Sequence, residues 1–168
     1  READYSIFTH VGPEVGVAST KSFTSQLIVL LSIAIKIGMY NKKITSEKYQ
    51  SFIQNLKLVP NFLSKILSLN KEFINLAQSI KNSQNILYLG RGILYPLALE
   101  GALKLKELSY IHSEGFAAGE MKHGPIALIE EGLPIIMFLT SDGKEEKSIS
   151  NLQEALARGG KVFLISDQ

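Results

Sequence analysis

Three short apolar runs alternate with helical patterns in the second half of the chain, and this alternation limits the possible fold more than any other feature. The runs are predicted strands and cover residues 85–89, 134–140 and 161–166. One helical pattern begins at about Pro96 and another covers residues 144–158. Because strands that alternate with helices pair in parallel and are covered on both faces, we predict an α/β fold with a parallel sheet flanked by helices.

A long apolar helix is predicted in the first part of the chain. The hydroxyls of Ser19 and Thr20 suit its start, Gly38 suits its end, and residues 1–18 indicate a loop with a short extended piece. Apolar residues lie almost all round this helix, so we expect it to be buried on several sides. Its longest apolar run, residues 27–37, is well short of the ~20 residues that span a bilayer, and we predict no membrane contact.

A helical connector is predicted between Thr45 and about Lys81. Two or three amphipathic patterns cover this region. We expect breaks at Val59-Pro60, because proline disfavours a helical residue before it, and around Asn70.

Composition and charge exclude several classes of function. Lysine plus arginine number 18 against 16 acidic residues, and a net charge of +2 argues against a dedicated nucleic-acid binder. The chain has no cysteine, which excludes a disulfide scaffold, a thiolate metal site and a cysteine nucleophile. With three histidines and no His-x-x-x-His pattern, we expect no metal site. The first residues show no signal-peptide pattern, so we expect a cytoplasmic location.

Three charged residues fall on one side of the helix that begins near Pro96. Glu100, Lys104 and Glu107 lie within an arc of about 60° on a helical wheel, with leucines on both sides of the arc. A solvated stripe is not usually bordered by leucines, so we expect partial burial and pKa values that move toward neutrality. The stripe is either a catalytic triad or a set of charges that stabilises the helix.

The polar segment 112–125 holds two histidines and three glycines between two core elements. His123 stands before Gly124-Pro125 and is a candidate acid or base, because imidazole titrates near neutral pH. We expect His112 to be a structural residue at the end of the preceding helix.

Two further segments are candidate ligand contacts. Residues 90–92, Gly-Arg-Gly, lack the third glycine of a dinucleotide fingerprint and the Gly-Lys-Ser/Thr of a phosphate loop, so a tight turn is the simpler interpretation. Residues 18–20, Ala-Ser-Thr, precede a helix N-terminus and suit an anionic or hydroxylated ligand, although plain N-capping accounts for the same residues.

Two sequence blocks resemble the glucosamine-6-phosphate synthase family. Residues 100–107 read Glu-Gly-Ala-Leu-Lys-Leu-Lys-Glu, and residues 117–125 read Ala-Ala-Gly-Glu-Met-Lys-His-Gly-Pro. Residues 15–21 resemble the end of the family's first sugar-isomerase (SIS) lobe, and residues 87–92 the start of its second. The resemblance covers nearly the whole chain and implies a three-layer αβα SIS fold.

The resemblance also implies a chemistry. The family converts fructose 6-phosphate and glutamine-derived ammonia into glucosamine 6-phosphate, and it needs no metal or other cofactor for this step. By resemblance, Glu107 is the base that moves a proton between C1 and C2, and Lys104 and Glu100 place charge and move protons at the sugar oxygens. His123 resembles the family's ring-opening histidine, which reaches the site from the neighbouring subunit of a homodimer.

The same resemblance implies a domain division. Residues 1–41 correspond to the end of the first SIS lobe, 42–84 to a helical connector and 85–168 to most of the second lobe. Val17 and Ser19 resemble sugar-contacting positions of the first lobe. The family's serine-rich phosphate loop, its Schiff-base lysine and its glutaminase domain have no counterpart in these residues, so we expect the chain to be an isomerase fragment that is inactive alone.

Two other functions are compatible with the sequence. A sugar-phosphate-sensing SIS module of a regulator has the same fold and needs no catalytic base. A structural dimerisation lobe would use the charged stripe as an interface salt bridge.

Overall fold

The computed structural model describes residues 2–141, 143 and 145–167, which form two compact units divided between Glu72 and Phe73. The domain boundaries drawn from the resemblance stay predictions. In chain order, the helices and strands are α1 (Lys21–Tyr40), α2 (Ser46–Leu67), α3 (Asn70–Ile80), β1 (Asn85–Gly90), α4 (Tyr95–Ser109), β2 (His112–Ala117), β3 (Pro134–Leu139), α5 (Glu145–Ala157) and β4 (Lys161–Ser166).

The four strands form one parallel sheet in the order β2-β1-β3-β4. Helices α3 and α4 supply side chains to one face and α5 to the other, so the predicted three-layer α/β fold is confirmed. The helix predicted over 144–158 is α5; Lys144 itself lies outside the described residues.

Strand β2 was not predicted, because its residues Ser113, Glu114 and Gly115 give it no apolar run. It forms at the edge of the sheet by pairing with β1 along its whole length. His112 begins this strand, so its assignment to the end of the preceding helix is wrong. Helix α4 ends earlier, where Tyr110 takes a left-handed conformation at φ 60° and turns the chain.

The central strands β1 and β3 divide their side chains between the two faces of the sheet, since successive residues of a strand point in opposite directions. Leu87, Leu89 and Met137 pack on the α5 side with Ala155 and Met121. On the other face, the buried residues are Ile80, Ile86, Tyr88, Ala98, Ala102 and Ile136.

Helix α4 lies unusually close to β1 and β2 because small residues face the sheet. A Cβ atom on Gly115 would stand 2.8 Å from the Ala98 carbonyl carbon, and one on Gly101 would stand 2.8 Å from the Tyr88 ring. The buried Ser113 hydroxyl donates to the Ala102 carbonyl oxygen at 2.7 Å. The face of α4 that carries Ala98 and Ala102 is thereby fixed against the sheet, and the opposite charged face points away from it.

Helix α1 is exposed over most of its surface, contrary to the expected burial on several sides. Ile35 is buried, whereas Leu30 is 62% exposed. Within the first unit α1 packs against α2, and one neighbour covers only one side of a helix that is apolar all round. The helix also continues through Gly38 to Tyr40, so its predicted end at Gly38 is wrong.

Helix α2 runs unbroken through Pro60, so the predicted break at Val59-Pro60 is wrong. Proline removes one backbone donor. No residue of α2 is buried, so the helix lies near the surface where the missing hydrogen bond costs less. The predicted break around Asn70 is confirmed, since α3 begins there.

Helix α1 is longer than the apolar run from which we predicted no membrane contact. Helix α1 has 20 residues and is, by length and composition alone, long and apolar enough to cross a bilayer. Core helices of soluble proteins have the same length and composition, so these two properties do not identify a membrane span.

We predict that Gly115→Ala destabilises the second unit by about 1–3 kcal/mol, because the added methyl group meets the backbone of α4 and forces the helix away from the sheet. Urea unfolding followed by circular dichroism measures the change. Gly16→Ala is the matched control, since a Cβ there meets nothing within 4 Å. Equal stability of the two variants would contradict the close packing of α4.

Candidate functional site

Glu100, Lys104 and Glu107 lie together along the outer face of α4, and we call this set the α4 stripe. Lys104 Nζ donates to Glu107 Oε2 at 2.8 Å and stands 3.5 Å from Glu100 Oε1. The three side chains are 23–31% exposed, which agrees with the expected partial burial. The bordering Leu97 and Leu103 remain more exposed than the charges between them.

The hydrogen bond from Lys104 to Glu107 raises the pKa of the lysine, and the charge of Glu100 adds to the effect. The expected shift toward neutrality is therefore wrong for Lys104, because two nearby carboxylates favour its charged form more than burial disfavours it. At neutral pH the stripe holds a fixed ammonium group. Glu107 Oε1 accepts no hydrogen bond from the described residues and is the oxygen available to a ligand.

His123 lies in a different segment, the His123 loop (residues 118–128), which is built of two short 3-10 turns after β2. Its side chain is exposed, and no hydrogen bond or ion pair within the described residues joins it to Glu107. The loop itself is anchored immediately before His123. Met121 is fully buried in the core, and Lys122 Nζ pairs with Glu154 Oε1 of α5 at 2.8 Å.

A cavity of about 370 Å³ opens at the carboxyl edge of the sheet, where ligands of parallel α/β folds usually bind. Arg91, Gly92, Gly119 and Lys147 are among its lining residues. Arg91 Nη1 donates to Asn151 Oδ1 of α5 at 3.2 Å, and a Cβ atom on Gly119 would stand 3.1 Å from the same nitrogen, so the guanidinium lies between α5 and the His123 loop. The α4 stripe does not line this cavity, so the turn at residues 90–92 and the stripe are separate features.

Ser19 and Val17 lie in the loop before α1 in the first unit. The Val17 side chain is 88% exposed, and Ser19 Oγ donates to Glu14 Oε2 at 3.1 Å. Thr20 makes no side-chain cap, so the plain N-capping interpretation of these hydroxyls is wrong. The carboxylate of Glu14 takes that place by accepting from the backbone amides of Thr20 and Ser22 at 2.8 and 3.3 Å.

Glu14 was missed by the sequence reasoning. It precedes the N-cap residue Thr20 by six residues, whereas the local capping patterns place the acidic partner inside the first turn. The Gly-Pro and Gly residues on either side of Glu14 were a signal that the loop turns back on the helix end. Within the described residues, no group of three or more histidine, aspartate or glutamate side chains is arranged to hold a metal ion.

We predict that Glu107→Gln lowers the pKa of Lys104 by more than Glu100→Gln does, because the shorter hydrogen bond contributes the largest part of the shift. The lysine ¹³Cε resonance, followed by NMR through the alkaline range, measures both variants. A larger change in the pKa of Lys104 in the Glu100→Gln variant would contradict the close pairing of Lys104 with Glu107.

The chain is similar to a known domain family and to named enzymes. Residues 79–168 match the SIS domain family. The chain is 53% identical over 168 residues to a glutamine–fructose-6-phosphate aminotransferase (isomerizing) of Zymomonas mobilis, and 48% identical over 167 residues to that of Mesorhizobium japonicum. The alignments include 100% and 99% of this chain, and each covers 28% of the relative's length.

A solved structure shows the same arrangement of elements. It is the C-terminal domain of a glucosamine-fructose-6-phosphate aminotransferase from Francisella tularensis, with a TM-score of 0.90 and 41% identity. The match covers 92% of this chain and 44% of that one.

Proposed function

The chain belongs to the SIS domain family, and we propose that it is part of the sugar-isomerising region of a glucosamine-6-phosphate synthase. The named relatives, at 48–53% identity over nearly the whole chain, carry this activity in their names. The observation that carries the proposal is the α4 stripe, in which a lysine orients a part-buried carboxylate and leaves one of its oxygens open.

The geometry suits proton transfer next to a carbonyl or imine. In the proposed reaction, ammonia and fructose 6-phosphate give an imine at C2 with loss of water, and Glu107 Oε1 removes a proton from C1. The electron pair forms a C1–C2 double bond while the C2–N π pair moves to the nitrogen, which takes up a proton. The resulting enolamine takes the C1 proton back from Glu107 at C2. O1 gives up its proton as the C1 aldehyde forms, which balances the proton taken up by nitrogen, and the product with an amine at C2 is glucosamine 6-phosphate.

Lys104 and Glu100 have separate roles in this proposal. The ammonium of Lys104 holds Glu107 Oε2 and lies where negative charge develops on the sugar oxygens. Its raised pKa keeps it protonated through the neutral range. Glu100, 3.5 Å from Lys104 Nζ, fixes the other side of the ammonium.

The proposal extends to partners and location. The sugar ring opens before the transfer, and His123 of a second copy serves as the acid or base for that step in a homodimer. Ammonia comes from a glutaminase domain of the same polypeptide, of which these residues form a segment. Val17 and Ser19 contact the sugar, and the protein acts in the cytoplasm on the route to amino sugars.

The alternative is a sugar-phosphate-binding regulatory module of the same fold. It would bind the ligand through the same loops and need no base. A free carboxylate oxygen accepts a hydrogen bond from a sugar hydroxyl in a binding module and a proton from C1 in an isomerase, so the activity of a Glu107 variant decides between the two functions.

We predict that Glu107→Gln in the complete synthase lowers the rate of glucosamine 6-phosphate formation by roughly 10²–10⁴-fold, because the amide cannot accept the C1 proton. Calorimetry is expected to show sugar-phosphate binding retained. Lys106→Gln is the matched control, an exposed residue on the other side of α4. Full activity of Glu107→Gln would support the regulatory alternative.

We predict that two inactive variants, Glu107→Gln and His123→Asn, restore activity when their subunits are mixed. If each site takes Glu107 from one subunit and His123 from the other, random exchange gives intact groups in about one quarter of the sites. Activity after dissociation and reassociation measures the outcome, with each variant reassociated alone as control. No recovery from a verified heterodimer would place both residues in one subunit or exclude His123 from the reaction.

A further inference from the structure

The carboxylate of Glu14 caps the N-terminus of α1 by accepting hydrogen bonds from two of its amides and from two hydroxyls. Oε1 accepts from the Thr20 amide at 2.8 Å, from the Thr20 hydroxyl at 3.2 Å and from the Ser22 amide at 3.3 Å. Oε2 accepts from Ser19 Oγ at 3.1 Å. Hydrogen bonds from Ser22 and from the Thr20 amide lower the pKa of Glu14 to about 2, so the group is ionised at neutral pH.

This arrangement changes what the N-terminus of α1 offers to a ligand. A free helix N-terminus attracts anions through its unpaired amides and its positive dipole end. Here an internal carboxylate already occupies the amides of Thr20 and Ser22. An anionic ligand would also meet the negative charge of Glu14, and the phosphate of a sugar phosphate is therefore excluded from this position.

The chemistry of the hydroxyl group then fixes the role of Ser19. A serine hydroxyl carries one proton and two acceptor lone pairs. An ionised carboxylate only accepts, so the Ser19 proton points to Glu14 Oε2. Toward a ligand, Ser19 presents lone pairs alone.

We propose that Glu14 is a positioning residue that fixes Ser19 as a hydrogen-bond acceptor, so that the ligand group bound there is a donor, a sugar hydroxyl or an N–H, and not a phosphate oxygen. The proposal rests on the proposed function in one respect, the contact between Ser19 and the sugar. It adds Glu14, to which the resemblance assigned no role, and it gives the direction of the hydrogen bond between Ser19 and the ligand.

Ala18 and Lys21 support the same loop geometry. Ala18, between the two predicted contact residues, is 7% exposed and anchors the middle of the loop. Lys21 Nζ donates to the Pro13 carbonyl at 2.7 Å, which ties the start of the loop to the first turn of α1. The loop is thus closed on both sides of Glu14, and the Ser19 hydroxyl has a fixed direction before any ligand binds.

Glu14→Gln separates positioning from stability. Three donors face the Oε1 side, so the amide oxygen of glutamine takes that side and keeps α1 capped. Its NH₂ group then faces Ser19 and donates to it, which frees the Ser19 proton. The variant keeps the fold and reverses the hydrogen-bond direction of Ser19.

The test uses the complete synthase and a series of fructose 6-phosphate analogues in which one hydroxyl at a time is replaced by hydrogen or by fluorine. Fluorine accepts weakly and cannot donate. For the hydroxyl that contacts Ser19, we expect both analogues to raise KM about tenfold in the wild-type protein, the value of one hydrogen bond. In Glu14→Gln the freed Ser19 proton can donate to fluorine as well as to a hydroxyl oxygen, so we expect the fluorinated analogue to regain part of its lost binding while the deoxy analogue does not. Ser19→Ala is expected to abolish the preference for hydroxyl, with no further change in the double variant. Glu2→Gln, an exposed acid of the same segment, is the matched control.

Two results would overturn the proposal. One is that Glu14→Gln leaves the preference for hydroxyl over fluorine at its wild-type value at every sugar position. The other is that Ser19→Ala leaves this preference at its wild-type value. The amide resonances of Thr20 and Ser22, which must move as Glu14 is protonated near pH 2, test the hydrogen bonds without any activity. If those resonances move on protonation of Glu14 but the wild-type protein makes no glucosamine 6-phosphate, the proposed function is wrong, whereas the role of Glu14 as a cap of α1 stands.

Discussion

The close packing of α4 on the sheet is the constraint on which the second unit depends. Gly115 lets the backbone of α4 approach β2, and Ser113 ties the Ala102 carbonyl to the same strand. A helix held this closely cannot rotate about its axis without burying a charge or exposing Ala98. The orientation of the α4 stripe is therefore a consequence of small residues on the opposite face.

Two carboxylates show how surroundings give one chemical group two roles. Glu107 is held through one oxygen by an ammonium and keeps the other oxygen open, which suits a base. Glu14 accepts four hydrogen bonds, and these bonds hold its pKa at about 2, which is too low for a base at neutral pH. The number and charge of the donors, rather than residue type, separate a reactive glutamate from a structural one.

The apolar surfaces of α1 and α4 differ from the usual pattern of a finished domain. Leu30 on α1 and Leu103 on α4 are each more than 40% exposed within the described residues. The chain spans 28% of the length of the curated relatives it matches. The apolar runs of β1 and β3 are buried because their partners are in this chain, whereas α1, which was expected to be buried, is mostly exposed.

Sequence by itself determined the features that depend on local periodicity or on side-chain type. The apolar runs gave β1, β3 and β4, and the helical spacing placed Glu100, Lys104 and Glu107 together on α4. Only the tertiary structure decided the rest. Strand β2 exists because β1 offers it a partner, and Glu14 caps α1 because a loop folds back over six residues. Both depend on contacts between residues that are distant or irregularly spaced in the chain, for which no local pattern exists.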